Sequence, residues 1–187
     1  MAIEKLELIN TFRKQFDRVS GKSYVAASVD EIVHIISTIA VENRCTEIVN
    51  HNSTYADQIR VGLEAQGIRI RSLSEAEDSI EMLSQVDMAI TGADFLVAQT
   101  GTIVARTVAD EVRLATCLPR IQVTIIGCDN IVDNLNSLIH HMQEWVEADE
   151  PNTVTLISGP SRTSDIEVKQ ILGVHGPHQV HVIIFKP

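Results

Sequence analysis

Short β-branched runs alternate with amphipathic helical segments through the first half of the chain. The capping box Ser28-x-x-Glu31 opens a helix whose isoleucines recur at spacings of three and four up to about Asn43. Strand-like runs follow at residues 47–50 and 68–70, and a helix that ends at Gly67 separates them. Strands that alternate with helices pair in parallel, so this order predicts an α/β fold around a mostly parallel sheet.

An amphipathic helix is also predicted at the start of the chain, over about residues 2–19. Leu6, Ile9, Phe12 and Phe16 share one face of it, and charged residues fill the other face. Such a helix either covers the sheet or forms an arm that packs on another subunit, and both alternatives stay open. The chain shows no linker or internal repeat, so residues 1–187 are expected to form one domain.

Three β-like pieces follow one another closely at residues 88–91, 94–98 and 102–105. They are too close together for crossover helices, which predicts a strand pair or meander inserted in the sheet. Asp94 and the polar turn Gln99-Thr100-Gly101-Thr102 offer a carboxylate, hydroxyls and backbone N–H groups to a ligand. A plain hairpin turn that needs its glycine is the alternative, and the local sequence favours it.

Two more helices are predicted from their capping residues. Ser74-x-x-Glu77 opens one of them. Residues 121–127 are a strong candidate for a buried strand, and Asp129 or Asn130 caps the helix that follows it.

The last segment is predicted to form a strand, a helix and a strand. Thr153–Ile157 is a β-branched run that ends before Gly159-Pro160, and the capping box Ser164-x-x-Glu167 opens a helix after it. Gly173 supplies a left-handed stop for that helix, and residues 180–185 form the next strand. The pattern is typical of a βαβ crossover.

Hydroxyl groups and one guanidinium gather where this last helix is predicted to begin. Ser161, Arg162, Thr163 and Ser164 stand at its positive end, where free backbone N–H groups favour an anion. We therefore expect a small-anion site here, with the Thr100-Gly101-Thr102 turn as a second contributor. Helix capping by the hydroxyls, with Arg162 paired to a local acid, is the simpler alternative.

The loop Gly173-Val-His-Gly-Pro177 lies at the far end of the same predicted helix. A helix of about ten residues would hold His175 about 15 Å from Arg162. Arg162 follows the carboxyl end of one strand and His175 precedes the amino end of the next, so the two are expected at opposite edges of the sheet. Gly173, His175, Gly176 and Pro177 are thus expected to shape their loop or to contact a partner subunit.

The composition argues against several classes of protein. A formal net charge of −10 without a cluster of Lys and Arg argues against nucleic-acid binding. No run reaches the roughly 20 apolar residues of a membrane span, and the start lacks a signal-peptide pattern, which predicts a cytoplasmic protein. Cys45, Cys117 and Cys128 are far apart and include no Cys-x-x-Cys pair, so no disulfide framework, zinc site or iron–sulfur site is predicted in this chain.

Two blocks of residues carry a family resemblance. One is Ser158-Gly-Pro-Ser-Arg-Thr-Ser-Asp-Ile-Glu followed by Leu172-Gly-Val-His-Gly-Pro, and the other is Ile90-Thr-Gly-Ala-Asp-Phe-Leu-Val-Ala-Gln-Thr-Gly-Thr-Ile-Val. With Val123-Thr-Ile-Ile-Gly-Cys-Asp-Asn-Ile-Val between them, they resemble the LUD-domain family. The resemblance implies a three-layer α/β/α sandwich related to the sugar-phosphate isomerase and CoA-transferase group, which agrees with the order of elements above.

For function, the resemblance implies a part in the cytoplasmic system that oxidises L-lactate to pyruvate. The iron–sulfur clusters of that system belong to partner subunits, and this chain would be a non-redox accessory subunit without a cofactor of its own. The family pattern usually has an acid where this chain has Gln99, and an amide cannot act as a carboxylate nucleophile or general base. A stand-alone enzyme acting on a phosphorylated or CoA-linked metabolite is the alternative, and a homo-oligomer is compatible with either.

Overall fold

Helices and strands alternate from the start of the chain to its fourth strand. The computed structural model describes residues 2–51, 55–73, 78–108, 110–147, 153–164, 170–172 and 175–187. The helices are α1 (Ala2–Arg18), α2 (Val29–Glu42), α3 (Ala56–Glu64), α4 (Ser79–Gln85), α5 (Asp110–Ala115) and α6 (Leu135–Glu147). The strands are β1 (Lys22–Ala26), β2 (Glu47–His51), β3 (Arg69–Ser72), β4 (Met88–Gly92), β5 (Phe95–Val97), β6 (Thr102–Thr107), β7 (Ile121–Gly127), β8 (Ile131–Val132), β9 (Thr153–Ile157), β10 (Arg162–Ser164), β11 (Gln170–Leu172) and β12 (Gln179–Phe185).

The main sheet has six strands in the order β1-β12-β7-β4-β2-β3, and each neighbouring pair is parallel. The predicted α/β fold with a mostly parallel sheet is therefore confirmed. In β7 every residue before Gly127 is buried, so this strand is covered on both faces. Sequence reasoning missed β1, because only its last residue is buried and its polar residues hide the strand pattern.

The first helix covers the main sheet. Ile9, Phe12 and Phe16 of α1 are fully buried and share one apolar cluster with Val182 and Ile184 of β12. Of the two alternatives left open by the sequence, the structure shows a cover on the sheet. Helices α2 and α3 pack on the opposite face of the sheet, so the main sheet has helices on both sides.

The predicted strand pair is confirmed as the antiparallel hairpin of β5 and β6. These strands do not enter the main sheet but form a second sheet in the order β8-β5-β6-β9. One face of this second sheet packs near α1, through Leu96 and Ile103. Its other face is covered by α6, where Leu138 packs against Val97 and Val104.

Helix α4 and helix α6 begin at caps other than the predicted ones. Asp78 caps α4 by accepting hydrogen bonds from the N–H groups of Ile80 and Glu81, and the capping box predicted at residues 74–77 lies outside the described residues. Asn134 caps α6 because its side-chain oxygen accepts hydrogen bonds from the backbone N–H groups of Asn136 and Ser137. The prediction of Asp129 or Asn130 as this cap is wrong, because the chain makes a short 3₁₀ turn and β8 before the helix starts.

The βαβ crossover predicted for the last segment is wrong. Strand β9 pairs antiparallel with β6 in the second sheet, whereas β12 lies in the main sheet. Residues 162–164, predicted to open a helix, instead form β10 and pair antiparallel with β11. Strand pairing has overridden the local signal of the capping box there. Residues 165–169 and 173–174 lie outside the described residues, and Gly173 is among them.

Candidate functional site

The structure brings the two predicted ligand-binding segments together. The Thr100 and Thr102 hydroxyls are hydrogen-bonded across 2.7 Å, and the Thr102 hydroxyl is bonded to that of Ser158 across 2.8 Å. The turn between β5 and β6 therefore touches the loop that begins at Ser158. This chain of three hydroxyls forms because the second sheet pairs β6 with β9 and so sets the two loops side by side.

Arg162 approaches the carboxyl end of α1. Its side chain is exposed, and its Nη2 donates a hydrogen bond to the Ser20 hydroxyl across 2.8 Å. A helix carries partial negative charge at its carboxyl end, which suits a guanidinium but disfavours an anion. The anion site at Ser161, Arg162, Thr163 and Ser164 remains a prediction, and residues 162–164 form a strand where the prediction had a helix begin.

The two ends of the final signature lie next to each other. Arg162 pairs with Leu172 in the β10–β11 ladder, and the Ser161 N–H donates to the Pro177 carbonyl across 3.0 Å. A Cβ added at Gly176 would lie 3.1 Å from the Ser161 Cβ. The predicted separation of about 15 Å is therefore wrong, since it assumed a helix between the two loops. His175 is exposed in the loop that makes these contacts.

Two glycines of the signature blocks are required by packing on α1. Gly101 has a φ of +62°, and a Cβ there would lie 2.5 Å from the Phe16 backbone nitrogen. Gly159 has a φ of +89°, and its Cβ would lie 2.4 Å from the Val19 carbonyl oxygen. Only glycine fits such positions. Both blocks therefore hold the end of α1 against the second sheet.

A cavity of about 150 Å³ opens at the carboxyl ends of β4 and β7, between the main sheet and the second sheet. Its lining includes Thr91, Gly92, Asp94, Thr107, Thr116 and Gly127. The carboxyl edge of an open parallel sheet is where ligands of α/β proteins bind. Of the predicted ligand-binding residues that the structure describes, Asp94 alone lines this cavity.

Side-chain alternation decides which groups face this cavity. Phe95 and Val104 point toward α6, so the neighbouring Asp94 and Ala105 point toward the main sheet. The Asp94 carboxylate accepts a hydrogen bond from the Arg106 backbone N–H across 2.6 Å. The Arg106 guanidinium carbon lies 5.8 Å from the centre of the Trp145 ring, on the α6 side of the second sheet.

Buried polar side chains on the main sheet lead up to the cavity. Thr91, Gln122 and Thr124 are each at most 2% exposed, and Gln122 donates to the Thr124 hydroxyl across 3.3 Å. Among the described residues, the Thr91 hydroxyl and the Gln122 carbonyl oxygen have no hydrogen-bond partner. Sequence reasoning missed this group, although Gln122 and Thr124 are conspicuous polar residues inside an apolar strand.

A second polar network lies at the amino end of β12. The buried His181 ring contacts the Tyr24 hydroxyl at Nδ1 across 3.2 Å and the Gln179 carbonyl oxygen at Nε2 across 3.1 Å. The Gln179 amide nitrogen in turn donates to Asn43 across 2.6 Å. Burial and, to a lesser degree, the nearby Lys22 charge lower the pKa of His181 to about 4. The ring is therefore neutral at neutral pH and serves this network as a structural group.

The cysteines are separate, and the described residues offer no multi-ligand metal site. Cys45, Cys117 and Cys128 are free and half-buried. Burial raises the pKa of Cys45 to about 11, and it also raises that of Cys117. Within the described ranges, no group of three or more His, Cys, Asp and Glu side chains is arranged to hold a metal ion.

No described helix is long and apolar enough to cross a membrane.

The chain is similar to known proteins in both sequence and fold. The LUD domain family model matches residues 9–185. The lactate utilization protein C of Halalkalibacterium halodurans is 25% identical over 182 residues, which cover 95% of this chain and 79% of that protein. The protein of the same name from Macrococcus caseolyticus is 26% identical over 180 residues, with 95% and 78% coverage. A crystal structure of a DUF162 family protein from Deinococcus radiodurans has the same fold, with a TM-score of 0.71, 18% identity and coverage of 97% of this chain and 98% of that one.

Proposed function

Because the chain belongs to the LUD-domain family, we propose that it is an accessory, non-redox subunit of a system that oxidises L-lactate to pyruvate. The observation that carries the proposal is the match of that family's model to residues 9–185, together with relatives named lactate utilization protein C that align over 95% of this chain. Electrons from lactate would pass through iron–sulfur clusters held by partner subunits.

The cysteine chemistry supports a role outside electron transfer. Iron–sulfur clusters are held by sets of Cys thiolates, usually four. This sequence contains three cysteines, and they lie far apart in the chain. Their burial also disfavours the thiolate that ligates iron, since it raises the pKa of both Cys45 and Cys117. We therefore place the clusters on partners and give this chain a role in assembly.

Helix α6 carries an apolar surface that suits such a role. Ile139 is 48% exposed and Val146 is 78% exposed, and with Met142 they line an open groove of about 410 Å³. Apolar groups grouped on one side of a helix are typical of surfaces that bind another protein. We expect an iron–sulfur partner to contact this side of α6.

The proposal is tested by purifying the tagged protein from its native cells under anaerobic conditions. The eluate is assayed for iron and for reduction of a dye that depends on lactate. Ile139→Lys is expected to lose the iron and the dye reduction, whereas Val61→Lys, at a 68% exposed position on α3, is the matched control. A protein that elutes alone, without iron and without activity on lactate, would overturn the proposal.

A second candidate function is a stand-alone enzyme acting on a phosphorylated or CoA-linked metabolite. The observation in its favour is the Asp94 carboxylate at the carboxyl edge of the sheet, since Gln99 cannot supply a general base. The phosphate or CoA group would have to lie outside the cavity, because a carboxylate in the lining disfavours an anion. Anion binding near Arg162 would serve this enzyme, and it would equally serve an accessory subunit that binds a small anion. Turnover of a sugar phosphate or a CoA ester by the isolated chain would favour it over the accessory role, and Arg162→Ala would then weaken binding of the anion.

A further inference from the structure

We propose that the cavity at the carboxyl ends of β4 and β7 binds a small neutral polyol, independently of any role in lactate oxidation. The position of the cavity suits a ligand. In the strand order of the main sheet, the chain runs from β2 toward one edge, to β3, and from β4 toward the opposite edge, to β7. Loops that leave neighbouring strands in opposite directions open a crevice at the carboxyl edge, and the cavity lies beside that crevice.

Unpartnered polar atoms show that the site is made for a polar occupant. Thr91 lines the cavity and is 2% exposed, yet its hydroxyl bonds to no described residue. The side-chain oxygen of Gln122, which lies on the same face of the sheet but does not line the cavity, also has no hydrogen-bond partner among the described residues. Buried polar groups without a partner are rare and cost stability, so each calls for a water or ligand that supplies the missing bond.

Gly127 indicates space for that occupant at the edge of the cavity. Its φ of −69° and ψ of 144° are open to any residue. Among the described residues, no atom outside its own chain neighbours lies within 4 Å of the position that its Cβ would take. Neither backbone conformation nor protein packing requires glycine here, in contrast to Gly101 and Gly159. A ligand at the mouth of the cavity explains why the side chain is absent.

The charge of the lining selects a neutral ligand. The Asp94 carboxylate uses one oxygen for the Arg106 N–H, and its other oxygen makes no hydrogen bond within the described part of the chain. Arg106 lines the cavity too, where its backbone N–H reaches Asp94, but alternation along β6 carries its guanidinium to the α6 side, 5.8 Å from the centre of the Trp145 ring. An anion would therefore meet a carboxylate without a compensating cation. Hydroxyl groups both donate and accept, which matches a lining of carboxylate and threonine hydroxyls.

The volume sets the size of the ligand. A cavity of about 150 Å³ has room for a molecule of roughly six heavy atoms. Glycerol and L-lactate both have three carbons and three oxygens, but only lactate is charged. Comparing the two therefore isolates the effect of charge at constant size.

The experiment is a titration of the isotope-labelled full chain with glycerol and with L-lactate, followed by NMR shifts of the Gly92 and Gly127 amides. Glycerol is expected to give saturable shifts at these amides with a dissociation constant on the order of 1–10 mM. Lactate is expected to bind at least tenfold more weakly. Absence of saturable shifts with glycerol, or equal or tighter binding of lactate, would overturn the proposal.

Three variants test the named groups. Asp94→Asn keeps an acceptor for the Arg106 N–H, and it should weaken glycerol binding about tenfold while improving lactate binding. Thr91→Val should also weaken glycerol binding, yet raise the Tm of the ligand-free chain by about 2–4 °C, since it removes an unpartnered hydroxyl. Gly127→Val should abolish binding without lowering the Tm. Asp30→Asn on α2 is the control, and equal effects of Asp94→Asn and Asp30→Asn would refute the assignment.

Discussion

Protonation of His181 is expected to destabilise the protein as the pH falls below neutrality. The ring is buried, and its neutral form satisfies both nitrogens, because Nε2–H donates to Gln179 and Nδ1 accepts from the Tyr24 hydroxyl. A positive ring would lose hydration and would face the Lys22 charge, and these two effects lower its pKa from 6.5 to about 4. The unfolded chain, with a pKa near 6.5, therefore takes up the proton first.

The sign and size of the effect follow from this difference in pKa. Because the folded state has the lower pKa, full stability is present above about pH 6.5 and is lost as the pH falls toward 4. The expected slope is about 1.4 kcal/mol per pH unit, and the total loss is about 3 kcal/mol. Asp87 also has a lowered pKa, but its contribution to the stability of the protein is lost only in a more acidic range, because a carboxyl group titrates below a histidine.

The assay is urea unfolding at pH 4.5, 5.5, 6.5 and 7.5 for the wild type, His181→Gln and His140→Gln. His181→Gln should show a flatter dependence of the unfolding free energy on pH, whatever its stability at pH 7.5. His140→Gln, at an exposed position, should keep the wild-type slope. Equal slopes for the wild type and His181→Gln, or an NMR titration of the His181 ring near pH 6.5, would refute the reasoning.

Three further predictions concern stability and are checked by urea unfolding. Gly101→Ala should lower the unfolding free energy by about 3 kcal/mol, since its left-handed φ and the nearby Phe16 backbone exclude a Cβ, whereas Gly127→Ala should change it by less than about 0.5 kcal/mol. Asp78→Ala should cost about 1 kcal/mol by removing the cap of α4, and no loss would show that the cap is dispensable. Arg162→Ala should cost about 0.5 kcal/mol or less, because its bond to a hydroxyl is exposed, and a loss above 2 kcal/mol would contradict that.

The sequence predicted the parts of the fold that depend on local chemistry. The capping box at Ser28 opens α2 as expected, and the apolar run of β7 occupies the middle of the sheet. The capping box at Ser164 predicted a helix start, but Ser164 lies in β10. The partner of that strand is a segment beyond the predicted helix, and no local pattern announces such a pairing.

The candidate site was predicted less well than the fold. The contact of the Thr100–Thr102 turn with the Ser158 loop arises from the pairing of β6 with β9, and the pattern of neither strand specifies this partner. Position 101 requires glycine because the backbone of α1 packs against it, and α1 lies far away in the sequence. A cavity is a property of three-dimensional packing, so only its polar residues, such as Gln122, left a trace in the sequence.

The pairing of β1 with β12 has a consequence for the chain as it leaves the ribosome. Strand β12 follows every other described strand in the sequence, yet it lies between β1 and β7 in the main sheet. Until it emerges, Lys22–Ala26 has no neighbour in the sheet, and one edge of β7 stays open. The buried phenylalanines of α1 also lack the β12 side chains on which they pack. A ribosome-bound nascent chain should therefore bind chaperones that recognise apolar segments, and release of the last strand should end that binding.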